Sequence, residues 1–304
     1  MVKYVLKKIG IAVLTVFVLA TLTFFLVKIL PGDPFMNDKV PQAVQEKQRA
    51  YYGLDKPIWQ QYFTYMGNLI QGNLGTSLKQ VGRNVADIIK EAFPVSASLG
   101  LTSFILSELV GILFGILCAQ FKDRLPDYIL MVVAVLGIAL PSMVLGPLLR
   151  YFFGVKLMWL PVAGWGSIKQ TILPVWVLAM SGIAGSTRSM RASMLSVTTQ
   201  DYIKTARAKG LSPIKVVFRH QFKNSLVPIV TNMGVALASV MMGSFVVESI
   251  FLIPGLGKYF VDCVTTLDYP LVMGLTIFYG CFLVAANLII DIVYGLLDPR
   301  IRVK

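Results

Sequence analysis

The sequence predicts an all-α, polytopic membrane protein with six transmembrane helices and both termini in the cytoplasm. Three observations carry that expectation. Of the 304 residues, 56% are hydrophobic and 14% charged, with a mean hydropathy of +0.72; a soluble chain of this size needs about a quarter charged residues to coat its surface. The apolar excess gathers into six stretches near the ~20 residues that cross a bilayer. Lys and Arg concentrate in the connections on one side of those stretches.

The first stretch, 9–30, follows the basic start Lys3, Lys7 and Lys8. It is too long for a signal-peptide core and has no small-residue cleavage site, so it is expected to remain as an anchor. The others are 96–119, 128–153, 171–185, 226–253 and 271–297, of which 171–185 is the shortest. Pro141, Pro147 and Pro174 interrupt them, as packed membrane helices tolerate. Lys and Arg number three at the N-terminus, two in 121–127, eight in 186–225 and three at the C-terminus, against three in 150–170 and one in 252–270. The long segment 31–95 carries seven, but loops beyond about 60 residues cross largely regardless of charge. The basic side is therefore cytoplasmic, 31–95 is external, and 1–304 forms a single transmembrane domain.

The external segment has structure of its own. Pro31-Gly32-Asp33-Pro34 stops the first helix, since proline cannot donate to the ladder and glycine permits the turn. Residues 57–63 and 85–89 have the apolar spacing of short amphipathic helices. Trp59, Tyr62 and Tyr65 suit a membrane surface, so an interfacial cap is expected here rather than a binding site. No repeat of fixed period is visible.

The formal charge of +13 does not indicate nucleic-acid binding, because the charges sit in short connections and form no basic patch interleaved with aromatics. Cys118, Cys263 and Cys281 include no Cys-x-x-Cys pair. Neither a disulfide framework nor a metal site is supported.

The richest stretch lies in the cytoplasmic connection 186–225. Thr198 or Thr199 can cap a helix with Asp201 in its first turn; Tyr202, Thr205, Ala206 and Lys209 continue at helical spacing. Gly210 is placed to end that helix in a left-handed cap. Ser212 followed by Pro213 starts a second helix, on which Ile214, Val217, Phe218 and Phe222 form an apolar stripe beside Lys215, Arg219 and Lys223. Two short helices with a sharp elbow suit reception of a push from a soluble partner, or else lie on anionic lipid.

Acidic groups inside the apolar stretches are the other candidates, each costing about 2.5–3.5 kcal/mol at a helix centre. Glu108 either lines the path or makes a structural hydrogen bond, with Gly111 and Gly115 allowing close helix approach. Glu248 is assigned to an outer gate or a helix interface, and Asp291 to a pair with Arg300 or Arg302. His220 is expected to serve as a hydrogen-bonding group.

Asp201-Tyr-Ile-Lys-Thr-Ala-Arg-Ala-Lys-Gly210-Leu-Ser resembles the signature loop of ABC-importer permeases, and more closely their dipeptide/oligopeptide/nickel branch. Matching motifs run along the chain: Leu30-Pro-Gly-Asp-Pro34, Tyr52-Gly-Leu-Asp-Lys-Pro57, Gly72-Asn-Leu-Gly-Thr-Ser77, Arg219-His220 with Asn224 and Pro228, Val247-Glu248 through Gly257, Asp268-Tyr-Pro270, and Asp298-Pro-Arg-Ile-Arg302. Lys204-Thr205-Ala206 replaces the superfamily's Glu-Ala-Ala. The resemblance implies a type I ABC-importer permease fold in the bacterial inner membrane, the chain being the first of two paired permease subunits. It implies a second homologous permease, two cytoplasmic ATPases and an extracytoplasmic substrate-binding (lipo)protein as partners. ATP and Mg would belong to the ATPases, since this chain has no Walker A loop; Gly255-Leu-Gly-Lys258 lacks the earlier glycine and the following Ser/Thr. On this resemblance, residues 201–224 (Asp201, Tyr202, Thr205, Ala206, Lys209, Gly210, Ser212, Pro213, Phe218 and Arg219 among them) couple to the ATPase. Glu108 and Glu248 are the candidate path or gate groups, and the cargo is oligopeptide ahead of dipeptide or nickel chelate.

An ion-coupled secondary transporter would place paired ionisable groups near the midplane, often in two inverted repeats; Glu108 is solitary there. An intramembrane protease would need a Ser/His or Asp/Asp pair at membrane depth, which the sequence does not offer, so no enzymatic activity is expected of this chain.

Overall fold

A computed structural model of the chain describes residues 2–29, 46, 50, 53–80 and 82–297. In chain order its helices are α1 (Val2–Ile29), α2 (Ile58–Ile70), α3 (Val85–Gln120), α4 (Leu125–Ala139) and α5 (Ser142–Leu149), which widens into a π turn (Arg150–Lys156). They continue with α6 (Ile168–Thr198), α7 (Asp201–Ala208) and α8 (Pro213–Val216), the last running through a second π turn (Val217–Phe222) into Lys223–Ser225. The remainder are α9 (Val227–Met241), α10 (Phe245–Ile250), α11 (Leu256–Thr265) and α12 (Tyr269–Leu297). Among the described residues the one departure from helices, turns and loops is an isolated antiparallel bridge from Thr76 to Asn84.

Among the described residues four helices are long and apolar enough to cross a membrane: α1 from Leu6, α3, α6, and α12 as far as Ile290. The third expected stretch, 128–153, is two helices bent by 106°. Proline is responsible: Leu140, before Pro141, is held extended at φ −91° and ψ 110°, as the ring forces on the residue preceding it. Pro147 and Pro174 lie inside continuous helices; Pro141 breaks one. The fifth stretch, 226–253, is also interrupted. Gly243 takes φ +81°, a region open mainly to glycine, and Ser244 restarts the chain by accepting from the Val247 N–H at 3.3 Å.

Two expected boundaries move. The stretch predicted as 171–185 extends to Thr198, taking in thirteen residues expected in the loop. Its polar composition hides a buried stripe of Thr187, Met190 and Met194. Residues 85–89, expected as a separate amphipathic helix, are the first turns of α3, which carries Pro94 within it. The Leu30–Pro34 turn lies outside the described residues.

The chain forms two compact units, Met1–Pro94 with Gly255–Lys304, and Val95–Pro254. In the first, α1 packs along α12, and a Cβ on Gly280 would strike the Leu19 side chain. Phe24 stacks on Tyr65 with ring centroids 5.6 Å apart and meets Tyr62 edge-on at 5.5 Å. Asp268, 1% exposed, caps α12 by accepting from the Leu271 N–H at 3.4 Å. The same carboxylate accepts from the Ser77 hydroxyl and the backbone N–H groups of Leu78 and Lys79. Two motifs 191 residues apart in the chain are thereby tied together. Asp268→Ala is expected to strand those donors at about 1–3 kcal/mol for each buried one. Limited proteolysis at 77–80 should accelerate in that variant and much less in Asp268→Asn.

In the second unit α4 packs on α6, and α3 crosses α6 through glycines. A Cβ on Gly111 would lie 2.6 Å from the Ser186 Cβ, and one on Gly115 2.8 Å from the Thr187 carbonyl oxygen. Such contacts let membrane helices approach until their backbones touch. Leu99, Leu145, Val177, Val247 and Phe251 form one buried cluster; Met190, Met194, Val217 and Ile229 form another beside the elbow.

Candidate functional site

The elbow expected between α6 and α9 is present. Gln200, not Thr198 or Thr199, precedes α7. Thr198 is the last residue of α6 and Thr199 its C-cap; Thr198 donates to the Met194 carbonyl at 2.7 Å and Thr199 to that of Ser196 at 2.9 Å. Asp201 opens α7 and pairs with Lys204 at 2.9 Å, while Thr205 donates back to the Asp201 carbonyl at 3.0 Å. Lys209 caps the helix, and Gly210 turns the chain at φ +72°. A Cβ on Gly210 would meet nothing within 4 Å. Ser212 and Pro213 then start α8 as its cap and first residue.

Two inward side chains of α7, Ile203 and Ala206, close on Val216 of α8, with Val197 and Leu211 packed against them. This small core packs the two arms of the elbow against each other. Asn224 reinforces it, donating to the Tyr202 hydroxyl and to the His220 carbonyl, each at 3.0 Å. Gln221, 2% exposed, anchors it to the membrane helices: its amide donates to Thr198 at 3.0 Å and its carbonyl accepts from Gln120 at 3.3 Å.

The expected stripe on the second arm divides. Val217 is buried and Phe222 half-buried, but Ile214 and Phe218 are 72% and 60% exposed. The π turn is the reason, because its i→i+5 bonding widens the spiral and alters which side chains share a face. The outer surface of the elbow thus combines Tyr202, Ile214 and Phe218 with the exposed basic residues Lys204, Arg207, Lys209, Lys215 and Arg219. Of the candidate residues, Asp201, Tyr202, Thr205, Lys209, Gly210, Ser212, Pro213, Phe218 and Arg219 are exposed; Ala206, 5% exposed, holds the elbow from inside.

Two of the acidic candidates meet serines of neighbouring helices. Glu108 on α3 accepts from the Ser186 hydroxyl at 2.9 Å; its second oxygen and the Thr187 hydroxyl are buried with no hydrogen-bond partner. Glu248 on α10 is 0% exposed and accepts from Ser96 at 2.8 Å. Its carboxylate fills the space that a side chain at Gly243 would need. Both join helices of the second unit. Asp291 lies on α12, and its expected partners Arg300 and Arg302 lie outside the described residues.

One pair carried no sequence signal. Arg191 on α6 reaches Asp127 on α4 through two parallel N–H···O bonds of 2.8 and 2.7 Å, and Asp127 is 2% exposed. Spacing cannot reveal a contact between residues 64 positions apart. Among the described residues no cluster of His, Cys, Asp and Glu is placed to hold a metal, and the three thiols are free. Gly255-Leu-Gly-Lys258 opens α11, with Leu256 and Gly257 buried.

Comparisons with known proteins agree with this architecture. Residues 111–303 match the family described as binding-protein-dependent transport system inner membrane component, and residues 1–100 match the N-terminal part of such membrane components. The chain is 42% identical over 303 residues to the dipeptide transport system permease protein DppB of Bacillus subtilis, covering 99% of this chain and 98% of that protein. It is 40% identical over 305 residues to the oligopeptide transport system permease protein OppB of Haemophilus influenzae, covering 99% and 100%. A crystal structure of an amino acid ABC transporter superposes with a TM-score of 0.53 at 14% identity, over 68% of this chain and 93% of that one, which places the two in one fold. The chain is a multi-pass membrane protein and belongs to the family of binding-protein-dependent transport system inner membrane components.

Proposed function

We propose that the chain is one of two permease subunits of an ATP-driven peptide importer. It forms half of the translocation path and receives mechanical work at the elbow 201–224. Its six spans are α1, α3, the bent α4–α5 pair, α6, the broken α9–α10 pair and α12, with both termini and the elbow cytoplasmic. The observation that carries this reading is the elbow's construction. A core of Ile203, Ala206 and Val216 packs its two arms together, Gln221 fixes it to α3 and α6, and its outer face offers Tyr202, Ile214 and Phe218 to a partner.

A second permease, two cytoplasmic ATPases and an external binding protein complete the assembly, and ATP with Mg is held by the ATPases. Only a loop that binds the two ATPase states with different affinity can bias the path between inward- and outward-facing forms. The cargo is a short peptide. Dipeptide and oligopeptide relatives, at 42% and 40% identity, both support that class, and oligopeptide remains the first reading. A path with few side-chain contacts suits cargo of varied sequence, leaving selection to the binding protein.

Proteoliposomes holding the purified assembly test the reading. Uptake of labelled peptide should require internal ATP and the binding protein and should persist with ionophores present. Uptake abolished by ionophores and indifferent to ATP would establish an ion-coupled carrier instead.

A further inference from the structure

The cytoplasmic ends of α3 and α6 meet at one side chain of the elbow. Gln120 is the last residue of α3 and Thr198 the last of α6. Gln221 bridges them: its side-chain carbonyl accepts from the Gln120 amide at 3.3 Å, and its own amide donates to the Thr198 hydroxyl at 3.0 Å. The bridging residue is 2% exposed. It belongs to the π turn Val217–Phe222, an irregularity that recurs at functional sites.

Packing alone does not call for a glutamine here. The cluster of Met190, Met194, Val217 and Ile229, with Ile112, Ile116 and Phe222 against it, already holds the elbow to α3 and α6. Apolar contact of that kind is non-directional, so packed surfaces can slip past one another. A planar amide bonded at both ends fixes direction as well as distance, and a displacement of the elbow draws both helix ends with it. Ser193 adds a second tie from α6, donating to the Ser225 carbonyl at 2.9 Å; α3 has its tie at Gln120. Loss of the amide would strand little. Gln120 is exposed and can bond water, and Thr198 keeps its own bond to the Met194 carbonyl. The fold thus loses little without Gln221, whereas the directional link to α3 is lost altogether.

We propose that Gln221 is a positioning residue for transport, which passes movement of the elbow to the ends of α3 and α6; without it the assembly hydrolyses ATP but moves little peptide. This role rests on the coupling reading above. It adds to that reading a division of labour: docking of the ATPase belongs to the elbow's outer face, and transmission to one inward amide.

The ratio of ATP hydrolysed to peptide imported tests it, measured in proteoliposomes that hold the full assembly and binding protein with a labelled mixture of short peptides. Gln221→Met keeps the length of the side chain and removes both bonds. ATPase recovery and Tm should stay near those of the wild type, while the ratio rises about fivefold or more, the lower end of coupling between linked sites. Gln120→Met, which cuts the α3 bond alone, should raise the ratio as well. Added to Gln221→Met it should change nothing further, because both act through one contact. Should Gln221→Met fail to assemble, Gln120→Met decides by the same ratio. A wild-type ratio in the variants that assemble, including one in which import and hydrolysis fall together, overturns the proposal and leaves Gln221 a structural role. Import that needs no ATP in the wild-type assembly would instead overturn the coupling reading, so the two failures are distinct.

Discussion

Replacing Gly210 with tryptophan is expected to reduce ATP-driven uptake to background while the chain still folds and reaches the membrane. Gly210 takes φ +72° with nothing within 4 Å of a built Cβ. A side chain there costs roughly 1–2 kcal/mol of backbone strain and no collision inside the subunit. The indole would instead project from the elbow's outer face, where the ATPase is proposed to sit, and hold the two chains apart. Gly210→Asn separates strain from bulk, because asparagine accepts the left-handed conformation; it should keep most of the uptake. Ala206→Asp fails differently. It puts a carboxylate into the Ile203–Val216 core, so the elbow itself should unfold and the ATPases should no longer co-purify. Peptide uptake, together with ATPase recovery on affinity purification, distinguishes these outcomes.

Arg191→Ala is expected to produce a large loss of stability. Asp127 is 2% exposed and would be left a buried charge without its bidentate partner. Breaking such a pair costs about 3–5 kcal/mol, and the 25% exposure of the Arg191 side chain puts the effect toward the lower end. The double variant Asp127→Asn with Arg191→Met should recover much of the loss, since removing both charges removes the uncompensated one. Thermal unfolding of the purified chain in detergent reads both. An unchanged Tm for Arg191→Ala would mean that water reaches Asp127 and the pair holds little.

The elbow was legible because its signals are local. Gly210, Ser212 and Pro213 each require a particular backbone geometry, and the structure supplies it at those positions. The apolar stretches 9–30, 96–119 and 271–297 were legible through hydropathy alone. Where the sequence misled, longer-range packing decided. Residues 186–198 are polar enough to suggest a loop, yet Met190 and Met194 are fully buried and carry α6 onward. The stripe on the second arm assumed a regular α-helix, whereas the π turn Val217–Phe222 turned Phe218 outward and Gln221 inward. Ser77 and Asp268 both stood within recognised motifs, but only the folded chain joins them. Glu108 and Glu248 stood out as costly charges; that both meet serines of neighbouring helices is a matter of helix register, which periodicity leaves free.

The most direct measurement is site-directed crosslinking from the elbow in the assembled transporter. Thr205 is exposed on α7 and its hydroxyl donates within its own helix, so Thr205→Cys should leave the fold intact. We expect this cysteine, in a background lacking Cys118, Cys263 and Cys281, to crosslink to the ATP-hydrolysing subunit with a yield that changes between the nucleotide-free and ATP-bound states. An assembly that hydrolyses ATP and imports peptide while this position never reaches the ATPase would contradict the account.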